Sequence, residues 1–351
     1  MKIVHVIDNL GQGGAQRIAL GIVNELDLKL VVLNRREKEF NLKNKERVVF
    51  LGNGNRLNIQ SIWQFYQYVK KNKIDLIHTH LFKGFFAGLF TKLLLGNKVV
   101  LVAHDHGQIL NPNNFILGFL YRLLLLKSNF FVWKYIVVSD YAKTKIKRFV
   151  REKNVLVMNN FIDDKFFENR KCLQRSSNQF IIGFAGRLNK NKGILDFVLA
   201  MKIIVDKYPD TKVLIAGDGE LRETLSKIVK ELKLDKNIEL LGLVQDMTSF
   251  YKRISIFVNP SYYEAMGLTH IEAMAMGVPV VVSNVPAMNA MLTNRKNCLF
   301  FEKGDIDDMV SKIIKLLIDN QLSERLSNEG VRFAGDFTRE KYILRLEKIY
   351  E

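Results

Sequence analysis

Cysteine is nearly missing from this chain: Cys172 and Cys298 are its only two in 351 residues. That excludes a disulfide-stapled framework and fits a reducing compartment. No apolar run of spanning length is free of charge. The richest, Asn114–Ser139, is broken by Arg122, Lys127 and Lys134, and a spanning helix would bury at least two of them. The opening MKIVHVIDNL lacks the cationic lead and long apolar core of a cleavable leader and reads as a buried strand. Repeats and low-complexity tracts are missing too. Acidic residues are scarce in one half only. Residues 1–178 hold 29 Lys+Arg against 13 Asp+Glu, a balance of +16, whereas the remainder holds 24 against 23, or +1. Such asymmetry points to an anionic partner for the first half. Nucleic acid would call for a recognition helix or an aromatic-basic alternation, and neither is present. An anionic membrane surface is the partner expected instead. The lysine-punctuated stretches Leu81–Gly96 and Asn114–Ser139 suit such a surface, and they equally suit core helices with a charged outer face.

The length suits two domains better than one core. Short apolar runs recur as KIVHVID, LKLVVL, RVVFLG, DLIHTH, VVLVAHD, YIVVS and NVLVMNN, with longer amphipathic runs between most of them. The alternation indicates a doubly wound parallel sheet. It breaks at the polar residues 169–179, read as a linker, and restarts with FIIGFAG, TKVLIAGDG, NIELLGL, ISIFVNP and VPVVVSN. The expected organisation is a first Rossmann-like domain over 1–170 plus 338–351 and a second over 179–337.

In open parallel sheets, ligands bind beyond the carboxyl ends of the strands. Several loops there carry suitable groups. NLGQGGAQR follows the first strand, and Gly13 and Gly14 open a helix whose amide end suits an anion. FAGRLNKNKG brings Arg187, Lys190 and Lys192 to a helix start, an arrangement fit for a diphosphate or for a plain solvated loop. IAGDGEL places Gly217, Asp218 and Gly219 after a strand, where an ordinary helix start is an equal reading. His78 and His80, and His104 and His106, each follow a strand; a metal site is the lesser reading, and a polar role in a cleft for at least one of them the greater. His5 sits in mid-strand and reads as structural. The DIDD at Asp305–Asp308 reads as a helix cap, not a metal motif.

The stretch EAMGLTHIEAMAMGVPVV holds Glu264 and Glu272, eight positions apart among apolar residues. On one continuous helix they would stand about 12 Å and roughly 80° apart. If Glu264 precedes the helix and Glu272 lies inside it, both can face one ligand, with the free amides of Ala265, Met266, Gly267 and Leu268 between them. A ligand with hydroxyls at both ends and phosphates in the middle is a nucleotide sugar.

These motifs resemble the retaining "glycosyl transferases group one" family with the two-domain GT-B fold, two Rossmann-like domains around a cleft. The resemblance is carried by GRLNKNKG, IAGDGEL, LLGLVQDM and above all the E-x7-E signature, and more loosely by GGAQR, DLIHTH and VLVAHDHG. It implies that Glu272 holds the ribose and Glu264 the donor sugar. Arg187 and Lys192 would neutralise the diphosphate without a metal or cofactor. Gly13 and Gly14 would approach the phosphate, His106 the donor sugar, and backbone at Val244 the base. The donor loop would include Gly217, Asp218, Gly219, Ala265, Met266, Gly267 and Leu268. The chain departs from the family after GVPVV, where the family usually has a glycine pair and then a glutamate and Ala287 and Ala290 stand in those places, and at Gln16, where many relatives carry glutamate.

The expected activity is transfer from a UDP-linked sugar to a lipid-linked or growing polysaccharide acceptor, by a peripheral protein on the cytoplasmic membrane face. A sugar epimerase or phosphorylase on the same fold, or a non-catalytic nucleotide-sugar or nucleic-acid binder, stays open as an alternative.

Overall fold

The computed structural model describes residues 1–11, 13–34, 45–51, 59–107, 115–170 and 180–351. The expected linker at 169–179 lies outside them from residue 171 onward. Two compact units are present: Met1–Asn160 with Tyr342–Glu351, and Phe161–Lys341. The sequence placed the boundaries at 170 and 338. The stretch just after Asn160 is tied into the second unit: the Ile162 amide donates to the Phe337 carbonyl at 2.9 Å, and the Phe166 ring meets Tyr251 edge-on at 5.8 Å.

The first unit contains strands β1 (Ile3–Ile7), β2 (Lys29–Val32), β3 (Val48–Phe50), β4 (Leu76–His80), β5 (Val100–Asp105), β6 (Lys134–Val137) and β7 (Val155–Val157). They form a seven-stranded sheet in the order β3-β2-β1-β4-β5-β6-β7, every pair parallel. All seven correspond to apolar runs read from the sequence. Strands covered on both faces read as continuous apolar runs rather than alternating ones, and all five residues of β4 are buried. Helices supply the covering layers. Ile59–Asn72 buries Ser61, Phe65 and Val69, one stripe at helical spacing. Its Phe65 and Val69 join Val4, Val6, Ile77, Leu101 and Tyr135 in the core.

The second unit repeats the plan with β8 (Ile181–Ala185), β9 (Lys212–Ala216), β10 (Ile238–Gly242), β11 (Ile256–Asn259), β12 (Val280–Ser283) and β13 (Leu299–Phe301). The order is β10-β9-β8-β11-β12-β13, again parallel throughout. Strand β13, with three residues, and the helix Asn320–Ala334 are additions to the sequence reading. The core gathers Phe184, Phe197, Ile215, Met309 and Leu326. Asp305 caps the helix Ile306–Ile318 by accepting from the Asp308 amide at 2.8 Å, the role expected for DIDD.

In each sheet the chain winds outward from one strand, then returns to start on its other side. These switch points lie between β1 and β4 and between β8 and β11. Loops leave them in opposite directions, and the crevice that results is where ligands settle in such folds.

Candidate active site

In the second unit the loops after β10, β9, β8 and β11 lie side by side because their strands do. Backbone hydrogen bonds lace them together. The Gly217 amide donates to the Gly242 carbonyl (2.7 Å), the Gly186 amide to Ala216 (3.0 Å), and the Leu188 amide to Asp218 (3.0 Å). Gly217 has φ +142°, and a Cβ there would lie 1.8 Å from the Gly186 carbonyl oxygen, so no other residue fits. Asp218 turns its carboxylate onto its own loop, accepting from the Gly219 amide at 2.8 Å. Val244, two residues past β10, is half-buried. Arg187 is exposed and heads a loop that ends in a short helical turn, Lys190–Lys192.

The helix after β11 spans Leu268–Ala275, with Gly267 as its cap at φ +75°. Glu264 therefore precedes the helix and Glu272 lies inside it, the arrangement in which both can serve one ligand. A side chain at Gly267 would also strike His270, with Cε1 only 2.4 Å from the new Cβ. Ala265 and Met266 lead up to Gly267, and Leu268 is the first residue of the helix.

Glu264 is 9% exposed and forms an ion pair and hydrogen bond with the Lys192 ammonium. The Ser261 hydroxyl lies 3.0 Å from Glu264 Oε1 and 2.7 Å from Asn259 Oδ1. Asn259 Nδ2 in turn donates to His270 Nδ1 at 3.2 Å. Burial alone would raise the Glu264 carboxyl. The Lys192 charge and hydrogen bond, His270 and Ser261 together outweigh that, and the net shift is downward. The site thus holds a buried carboxylate ionised with a cation at its side. His270 is fully buried, and burial lowers it to about 4. Here it closes the hydrogen-bonded row that fixes Glu264, a role that the i, i+2 spacing to Glu272 could not show.

Glu272 is 1% exposed, deeper than Glu264. The Tyr251 hydroxyl lies 3.0 Å from its Oε2 and 2.9 Å from the Thr269 carbonyl. Tyr251 was not singled out from the sequence. Only the fold brings the helix Met247–Arg253 against the helix that carries Glu272.

In the first unit, Gly13 caps the helix Gly14–Glu25 with extended backbone, and a Cβ on it would meet only the flexible end of Gln16. Gln12 lies outside the described residues. His106 follows β5, its ring stacked on His104 (3.9 Å) and His80 (5.1 Å). His5, His78 and His80, and likewise His80, His104 and His106, offer three ring nitrogens within 4.8 Å, a spacing that could hold a metal ion. The same nitrogens hydrogen-bond to one another and to Tyr350.

Residues 165–333 match the family model described as glycosyl transferases group 1, and residues 13–166 match that of glycosyltransferase family 4. The chain is 27% identical to a UDP-Gal:alpha-D-GlcNAc-diphosphoundecaprenol alpha-1,3-galactosyltransferase of Escherichia coli, over 84% of this chain and 79% of that protein. It is 30% identical to the capsular polysaccharide biosynthesis glycosyltransferase CapM of Staphylococcus aureus, over 66% of each. Among solved structures, Anabaena HepE in complex with UDP-glucose superposes with a TM-score of 0.86 at 18% identity, covering 100% of this chain and 99% of that one. The fold is of the GT-B type. With two glycosyltransferase models covering residues 13–333, the chain is a glycosyltransferase and belongs to the glycosyl transferases of group 1.

Proposed function

We propose that this enzyme transfers a sugar from a UDP-linked donor, with retention of anomeric configuration, to a lipid-linked or growing polysaccharide acceptor at the cytoplasmic face of the membrane. The observation that carries the donor part is the Lys192–Glu264 pair beside the β8/β11 switch point. An ionised carboxylate that is already hydrogen-bonded suits reception of sugar hydroxyls, with Glu272 deeper in the same segment for the ribose. Arg187 and Lys192 supply the positive charge that a departing diphosphate needs, so no metal is required. Backbone at Val244 meets the base. On the first unit, His106 and the Gly13–Gly14 turn take part in the same transfer. The names of the relatives support UDP and a diphosphoundecaprenol or capsular acceptor.

The membrane part rests on the surface of the first unit. Phe119, Leu126, Phe130 and Trp133 stand exposed there among Lys127, Lys134 and Arg122. A groove of about 800 Å³ runs beside them, lined by Phe82, Phe86, Leu120 and Leu123, with Lys83 and Lys127 also on its wall. No described helix is long and apolar enough to cross a membrane. Apolar side chains among cations favour adsorption to anionic lipid, at about 1 kcal/mol per cation near the surface.

One experiment tests both parts: vesicles carrying a polyprenyl-diphosphate sugar acceptor, with UDP-sugars supplied in turn. A glycoside of unchanged anomeric configuration is expected, formed on anionic vesicles and falling at least about tenfold as salt screens the surface. An inverted product, consumption of inorganic phosphate or turnover without acceptor contradicts the transfer reading. Equal rates on neutral vesicles or at high salt contradict the membrane reading.

A further inference from the structure

Five of the six histidines lie together in the first unit around Tyr350. Their ring atoms make one unbranched row of hydrogen bonds. His106 Nε2 is 2.8 Å from His80 Nδ1. His80 Nε2 is 2.9 Å from His5 Nδ1. His5 Nε2 is 2.9 Å from the Tyr350 oxygen, which is 2.7 Å from His78 Nδ1. His78 Nε2 is 3.3 Å from His104 Nδ1. The two ends, His106 Nδ1 and His104 Nε2, are buried and have no partner among the described residues.

Protons can be counted along this row. A neutral imidazole carries one exchangeable proton and a phenol carries one. Five imidazoles and Tyr350 therefore bring six. The row has five links, each needing one proton, and two ends, which makes seven positions. Filling every link leaves one proton for one end. If it sits on His106 Nδ1, then His106 Nε2 must accept from His80 Nδ1, and the same demand passes down the row. All five histidines then carry the proton on Nδ1. If it sits on His104 Nε2, all five carry it on Nε2. No mixed assignment keeps all five bonds. Neutrality is supported by burial, which lowers His5 and His106 to about 3 and pushes His78, His80 and His104 well below their ordinary value.

We propose that the five histidines share a single tautomer and that Tyr350, at the centre of the row, is a positioning residue that couples the tautomer of His106, His80 and His5 to that of His78 and His104. The link to sugar transfer rests on the reading of His106 as a histidine that serves the donor sugar; the shared tautomer does not.

The test uses the full chain with ¹⁵N-labelled histidine and two-bond ¹H–¹⁵N correlation at neutral pH. His270 is an internal reference: its Nδ1 accepts from Asn259, so it must carry its proton on Nε2. The other five are expected to show one common pattern. A mixed set in the wild-type protein overturns the proposal, as do shifts of metal-bound imidazoles with stoichiometric metal in the purified protein. In Tyr350→Phe the row splits into His106–His80–His5 and His78–His104, each free to choose. Averaged or divergent ¹⁵N shifts are then expected in at least one segment, with kcat reduced several-fold and donor KM nearly unchanged. Five unaltered sharp patterns in that variant overturn the role of Tyr350. Altered tautomers with unaltered kcat leave the shared tautomer standing and overturn its link to transfer.

Discussion

Lys192→Ala should lower the rate of sugar transfer by about 10²–10³, the loss typical when a preorganised charge at a reacting centre is removed. Two consequences of the substitution act together. Under the proposed role of Lys192, the diphosphate loses a cation as it departs. Glu264, 9% exposed, also loses the partner that keeps it ionised in a buried place. Breaking one half of a buried pair costs about 3–5 kcal/mol, most of it the stranded charge. Glu264 can escape that cost by binding a proton. Its carboxyl lies below its ordinary value only because Lys192, His270 and Ser261 outweigh burial, and without Lys192 the burial effect gains the upper hand. The acid limb of the pH–rate profile should therefore move upward in Lys192→Ala, and Lys192→Arg should restore most of it. A profile that keeps its shape while kcat falls would show that Lys192 serves the phosphate alone.

The first unit should lose stability steeply below pH 6.5. Each of its five histidines is depressed in the folded state, so the unfolded chain binds the proton first. Their stabilising contribution is whole above the unfolded value, near 6.5, and is lost as pH falls toward the folded value, about 3 for His5 and His106. Each such group costs about 1.4 kcal/mol per pH unit once the unfolded imidazole is protonated. The row can take one extra proton without breaking a link, because it has one empty end. The remaining four amount to about 5 kcal/mol per pH unit, against a typical domain stability of about 5–15 kcal/mol. Both tryptophans, Trp63 and Trp133, belong to this unit, so their fluorescence reports its unfolding alone. Urea midpoints followed by that signal should fall sharply between pH 7 and pH 5. A flat response would contradict the buried, neutral state of the row.

The strands of both sheets were legible because parallel strands with both faces covered leave plain apolar runs. Strand β13 was not, since Leu299–Phe301 is too short to show any period, and the helix Asn320–Ala334 was passed over. The E-x7-E segment was legible as a condition: both glutamates could face one ligand only if Glu264 precedes the helix and Glu272 lies inside it, and the helix starting after Gly267 meets that condition. What the spacing could not show is register. His78 and His80 read as one pair, His104 and His106 as another, and His5 as an isolated strand residue. The parallel pairing sets His5 beside His78 and His80 beside His104, and thereby turns separate pairs into one row. Tyr350 joins it from 272 positions beyond His78, a distance no local pattern spans. Tyr251 and the Asn259–His270 contact were hidden for the same reason.

The central claim, a nucleotide-sugar site built on Glu272 and Glu264 beside the β8/β11 switch point, is tested most directly by calorimetric titration of UDP and UDP-glucose into the wild-type chain and into Glu272→Ala, with folding checked by circular dichroism. Saturable binding to the wild-type chain is expected, weakened about 10- to 100-fold in the variant for both ligands, as loss of hydrogen bonds to a charged acceptor requires. Unchanged affinity in a folded Glu272→Ala variant, or no binding of any nucleotide sugar to the wild-type chain, would contradict it.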